Sequence, residues 1–160
     1  MKYSLRIFKV FGIPVELHIS FLILMLVFYA VALLGLIPGI DITLAILVTL
    51  VFVTVVLHEL SHSYVAQRYG VVIERIVLLP IGGVSAMKEL PQDPGQELRI
   101  ALAGPLVNFI LAGLFYPLLL LWGNLLSPAM YFLLYNFILF NVLLGAFNLL
   151  PAFPMDGGRV

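Results

Sequence analysis

The chain has 160 residues, 63% of them hydrophobic and only 10% charged, with a mean hydropathy of +1.18. A soluble domain carries about a quarter charged residues, so the composition points to a membrane protein with room for one compact helical unit. The net charge of zero, with no basic stripe, argues against a nucleic-acid partner. The lack of cysteine excludes disulfides, thiol nucleophiles and Cys-ligated metal sites.

The charges are unevenly placed. None falls between Leu17 and Ile40, none between Ile42 and Leu57, and the 56 residues from Ile100 to Met155 contain no Asp, Glu, Lys or Arg. A spanning helix needs about 20 apolar residues, so four spans are expected, near 19–38, 42–67, 96–122 and 128–148. The eight basic residues are Lys2, Arg6, Lys9, Arg68, Arg75, Lys88, Arg99 and Arg159. With four spans all of them fall on one side, which the positive-inside rule makes cytoplasmic. The expectation is a multi-pass protein of the cell membrane, with its N-terminus and the 68–99 segment in the cytoplasm.

In chain order, Ser4–Val10 is expected to be a strand and Gly12-Ile13-Pro14 a turn. In the next stretch Val15, Leu17 and Ile19 alternate with Glu16, His18 and Ser20, the period of a half-buried strand. The start of the chain superficially resembles a signal peptide, with Ala30-Val31-Ala32 as a mock cleavage site. The apolar run continues to Ile37, however, and a retained first span is expected. Residues 71–79 are rich in β-branched side chains and read as another strand, punctuated by Pro80-Ile81-Gly82-Gly83, with VSAM returning beside it. The predicted fold class is therefore membrane α-helical, with about four transmembrane helices and a small β-sheet at the cytoplasmic membrane edge. Asp93, Pro94 and Gln96 form a helix start, with Asp as N-cap and Pro at the first helical position. No repeat or second domain is visible, so residues 1–160 read as a single membrane-embedded core.

The chemistry is concentrated in VTVVLHELSHSYV, Val53 to Val65. Ionisable side chains in hydrocarbon are costly unless paired or bound. His58 and His62 are four residues apart, so on a helix their rings share a face. Glu59 is one step round, able to reach a water on an ion that the two histidines hold. H-E-x-x-H on a helix supplies two zinc ligands and a general base. Chance placement of 3 His and 5 Glu predicts about 0.002 such patterns. The competing reading is a pair of satisfied core histidines.

A catalytic zinc takes three protein ligands and an open position. The long uncharged run ends at Asp156, within NLLPAFPMDGGRV. Pro151 and Pro154 are incompatible with a helix interior, so Asn148–Met155 is expected to be extended or unwound, lining a cavity or packed on protein. Gly157-Gly158 allow close approach behind the carboxylate. Asp156 could alternatively cap a helix starting at Gly157, and the two roles are compatible. His18 is the rival third ligand.

Four blocks together resemble the site-2 protease family of intramembrane zinc metalloproteases: HELSH on a span, PIGG after a strand, AGPLVN at Ala103–Asn108, and NLLPAFPMDGG at Asn148–Gly158. Their order and spacing agree with the short archaeal and bacterial members, from about Lys2 to the last residue. The resemblance implies one Zn2+ per chain held by His58, His62 and Asp156, with Glu59 as general base. It implies that Asn148 helps to hold substrate or the developing oxyanion, and that Gly82 and Gly83 lie beside a sheet edge receiving unwound substrate. Gly104, Pro105 and Asn108 are read as helix packing. Family members usually continue past DGGR into further spans, whereas this sequence stops at Val160; a truncated piece and a minimal core both remain open. The implied activity is hydrolysis of peptide bonds in or near transmembrane segments of membrane protein substrates. Its rivals are a metal-ion transporter that uses the His/His/Asp cluster as a transit site, and a catalytically dead scaffold.

Overall fold

Two strands open the chain, β1 (Ser4–Val10) and β2 (Ile13–His18), joined by Phe11 and Gly12. Both linking residues have positive φ, 50° and 82°, the backbone of a two-residue turn whose twist matches an antiparallel hairpin. The turn is thus one residue earlier than the sequence suggests. A β-branched Ile is a poor candidate for positive φ, and Ile13 instead begins β2 fully buried. The computed structural model describes residues 3–87, 91 and 93–150.

Helix α1 (Ile19–Leu34) follows β2 directly, with His18 as its N-cap. It ends at Gly35, whose φ of 62° places it in the left-handed C-cap conformation. Helix α2 (Ile42–Arg68) is capped by Asp41, which accepts from Leu44 N at 2.9 Å. The helices are fastened by an edge-on Phe21–Phe52 ring pair and a 2.8 Å Tyr29–Thr49 hydroxyl contact. Strands β3 (Ile73–Leu79) and β4 (Gly82–Met87) complete a four-stranded sheet in the order β1-β2-β3-β4. β2 and β3 run parallel, with Val15 opposite Ile76, and every other pair is antiparallel. A parallel pair requires a crossover; here α1 and α2 supply it.

Helix α3 (Pro94–Trp122) starts where the sequence places it, with Asp93 Oδ2 accepting from Gln96 N at 3.0 Å. A short 3-10 turn (Gly123–Leu125) leads to α4 (Pro128–Asn148), capped by Ser127. α3 and α4 meet where the Phe109 ring lies over Gly145 and where Phe115 meets Phe137 edge-on. Asn148 is still helical, and the chain leaves the helix only at Leu149. The unwinding expected from Asn148 onward thus begins one residue later, and the rest of that stretch, 151–155, lies outside the described residues.

Among the described residues three helices are long and apolar enough to cross a membrane: Ile42–Arg68, Pro94–Leu125 with its 3-10 turn, and Pro128–Asn148. α1 has 16 residues, a rise of about 24 Å, because Gly35 stops it before the apolar sequence ends. Large apolar side chains such as Leu26, Leu33, Leu114 and Leu120 point outward, where lipid tolerates what water would not. The inner core joins the sheet to the last turns of α2 and the first of α3, through Ile13, Val15, Leu60, Ala66, Ile76 and Ile100. Asp93→Ala removes the cap of α3, and we expect it to cost about 1 kcal/mol, read as a lowered melting temperature in detergent.

Candidate active site

His58 and His62 are 4% and 5% exposed, buried where α2 faces α3. Their rings stand edge-to-face with centroids 4.6 Å apart, and the two Nε2 atoms approach to 3.0 Å. Two nitrogens bound to one tetrahedral zinc at 2.0–2.1 Å would lie about 3.3 Å apart. The spacing therefore fits a shared ion with a shift of a few tenths of an ångström.

One face of α3 encloses the pair. His62 Nδ1 is 2.6 Å from the Ile100 carbonyl oxygen; a carbonyl only accepts, so Nδ1 donates and, in the neutral ring, Nε2 keeps its lone pair. Asn108 Nδ2 lies 3.2 Å from His58 Nδ1. Between them Gly104 has no side chain because none would fit: a Cβ there would stand 2.2 Å from His62 Nε2 and 2.6 Å from His58 Nε2. Ile100, Gly104 and Asn108 are spaced by four, so they share a face of the helix. Pro105, also buried, cannot donate to the Ala101 carbonyl, so the turn carrying the Ile100 acceptor has fewer internal bonds.

Glu59 is half-buried on the neighbouring side of α2, with β4 against it. A Cβ on Gly83 would lie 2.6 Å from Glu59 Cγ and 3.2 Å from Val55 Cγ1, so only a glycine lets the strand come this close. Gly82, at φ 134°, adopts a backbone that favours glycine. Both glycines belong to β4 rather than to a loop beside the sheet, and β4 is an edge strand among the described residues. Ser63 and Ser85 fix the strand to the helix through a 2.9 Å hydroxyl contact.

The remaining candidates are placed differently. Asn148 closes α4, half-buried, on the helix that packs against both α2 and α3. Asp156, with the helix cap considered for it, lies outside the described residues. His18 is engaged locally at the start of α1, its Nδ1 3.2 Å from Ser20 N and 2.6 Å from Ser20 Oγ. Among the described residues no three His, Asp or Glu side chains converge on one point, so His18 does not join the pair. The sequence reading of AGPLVN as packing holds for Gly104, although what it packs against is the two imidazoles. For Asn108 that reading misses the contact with His58. The available signal was a buried-type amide in an uncharged span, eight residues after Ile100 and four after Gly104.

Known proteins resemble this chain. A zinc metalloprotease of Methanocaldococcus jannaschii is 50% identical over 162 residues, covering 100% of this chain and 45% of its own length. The stage IV sporulation protein FB of Bacillus subtilis is 32% identical over 107 residues, covering 66% of this chain and 35% of its own. Among solved structures, the site-2 protease from Methanocaldococcus jannaschii superposes with a TM-score of 0.70 at 48% identity, covering 98% of this chain and 69% of that one. The chain thus spans less than half the length of these two relatives. Residues 45–129, which carry both histidines, Glu59, β4 and the enclosing face of α3, match the model of Peptidase family M50, and the chain belongs to that family, the site-2 proteases.

Proposed function

We propose that this chain is the catalytic core of an intramembrane zinc metalloprotease that hydrolyses peptide bonds in or near transmembrane segments of membrane protein substrates. The observation that carries the reading is the buried pair of Nε2 atoms within a few tenths of an ångström of the separation a shared zinc requires, with a carboxylate one residue away. His58 and His62 would hold the ion, with Asp156 assigned as the third ligand and one ion per chain. When bound, zinc lowers the pKa of its water to about 7 and polarises the scissile carbonyl.

Glu59 takes a proton from the attacking water as the oxygen bonds to the carbonyl carbon, then returns it to the leaving nitrogen as the C–N bond breaks. Substrate peptide bonds in a helix are hidden in their own hydrogen bonds, so the cut segment must unwind. Addition to the edge of β4 would satisfy the freed groups, and Gly82 and Gly83 place that edge against Glu59. Asn148 is assigned to the same cleft, holding substrate or the developing oxyanion.

In this reading residues 1–160 act as one membrane-embedded unit, and α1 serves as a fourth, shorter span. The basic residues then lie in the cytoplasm with the sheet at that membrane edge. His58 is ten residues from Arg68, about 15 Å along α2, a depth that water can reach from the cytoplasmic side. The transporter alternative is not supported by the family, and among the described residues the His/Glu/His cluster, set toward one end of α2, does not make a path across the spans.

Glu59→Gln is expected to keep one zinc per chain while cleavage of a model transmembrane substrate falls by at least about 10²–10⁴-fold, the worth of a general base; retained cleavage would remove Glu59 from the mechanism. Asp156→Ala should weaken zinc by more than the roughly 10–100-fold of an outer-shell change, measured by chelator competition, and unchanged affinity would exclude it as a ligand. Two glycine variants separate the halves of the site. Gly104→Ala drives a methyl into both imidazoles and should abolish zinc binding. Gly83→Ala should leave zinc bound but displace Glu59, lowering kcat by about 10²-fold.

A further inference from the structure

Asn108 is fully buried and is the only polar side chain on the buried face of α3. Its Oδ1 has no hydrogen-bond partner among the described residues. A buried acceptor left unpaired is costly, and a leucine of similar size would pack there without that cost. General adhesion between spans does not account for the amide, because its near neighbour is His58 Nδ1, 3.2 Å away.

The tautomers of the two rings decide what that amide is for. For both Nε2 atoms to bind one ion, both must present lone pairs, so both Nδ1 atoms must carry hydrogens. The His62 hydrogen has its acceptor in the Ile100 carbonyl at 2.6 Å. The His58 hydrogen points at Asn108, whose nitrogen cannot accept it and whose oxygen can. A half-turn about the last torsion exchanges the two amide atoms without altering the shape of the side chain. The opposite pairing, with the amide nitrogen donating to Nδ1, leaves the ring hydrogen on Nε2, between the two rings and in the way of the ion.

We propose that Asn108 is the positioning residue of His58: its Oδ1 accepts the Nδ1 hydrogen and fixes the tautomer in which Nε2 binds zinc. With the Ile100 carbonyl doing the same for His62, one face of α3 is a template that sets the protonation pattern of both metal-binding imidazoles. Gly104 keeps that face close enough to do so. The inference rests on the metalloprotease reading and adds to it an outer partner for each histidine. Such partners orient a ligand and raise its basicity, and losing one typically weakens metal binding by 10–100-fold.

Zinc affinity is measured by competition with a chromophoric chelator on the full chain in detergent, for wild type, His58→Ala, Asn108→Leu and Asn108→Asp, with thermal unfolding alongside. Wild type binding one zinc and His58→Ala losing it establishes the histidine site independently of Asn108; failure at this stage overturns the metalloprotease reading itself. Given that site, Asn108→Leu is expected to bind zinc about 10–100-fold more weakly. Asn108→Asp, which keeps an acceptor and loses the donor, should stay within a few-fold of wild type. Leucine binding as tightly as wild type overturns the proposal, and so does aspartate binding as weakly as leucine. Should either variant fail to fold, nitrogen-15 histidine spectra of zinc-loaded wild type decide alone: a His58 Nδ1 hydrogen shifted downfield, as one held by an acceptor is, upholds the assignment, and one without that shift overturns it.

Discussion

Two imidazoles side by side inside an apolar helix can be tolerated only if every ring nitrogen has a purpose. Each ring has one nitrogen facing α3 and one facing the other ring. The outward nitrogens meet a backbone carbonyl and an amide, and the inward pair converge at a separation suited to a divalent ion. This requirement shapes α3 more than α2. It demands a residue without a side chain at Gly104, a carbonyl within reach at Ile100, and a polar group at Asn108 where lipid-like packing would otherwise prefer an apolar one.

The sheet stands beside this pair. Helices bury the histidines, and the strands set an extended backbone next to them. The crossover from β2 through α1 and α2 to β3 sets the sheet against the last turns of α2, and the hairpin then delivers β4 to the side of the helix that carries Glu59. Close approach there depends on Gly83, whose missing Cβ is replaced by the Glu59 side chain itself. The Ser63–Ser85 contact, immediately after His62, ties the strand to the turn that carries the histidines.

Around this centre the remaining helices are built for contact with hydrocarbon. Their apolar side chains are largely outward-facing, and α3 and α4 pack through Gly145 and a few aromatic edges. α1 is held to α2 by one aromatic pair and one hydroxyl contact, a lighter attachment than the sheet enjoys. An apolar cavity of about 900 Å³ lies between the hairpin, α1, α2 and α3, lined by residues including Phe21, Tyr29, Phe52, Leu57 and Val107.

Local chemistry was legible in the sequence. The His58–Glu59–His62 spacing, the Asp93-Pro94 helix start, both strand pairs and the three long helices follow from periodicity and capping, which depend on neighbours a few residues apart. The hairpin turn and the length of α1 were misplaced by a few residues because backbone conformations at Phe11 and Gly35, not hydropathy, end those elements. What the sequence could not supply were relations between distant segments. That Ile100 O reaches His62, that Asn108 faces His58, and that Gly83 lies on Glu59 depend on how α3 and β4 dock against α2. Docking is decided by the shape of whole faces, and a single chain of letters records shape only where its residues are close enough to touch in sequence.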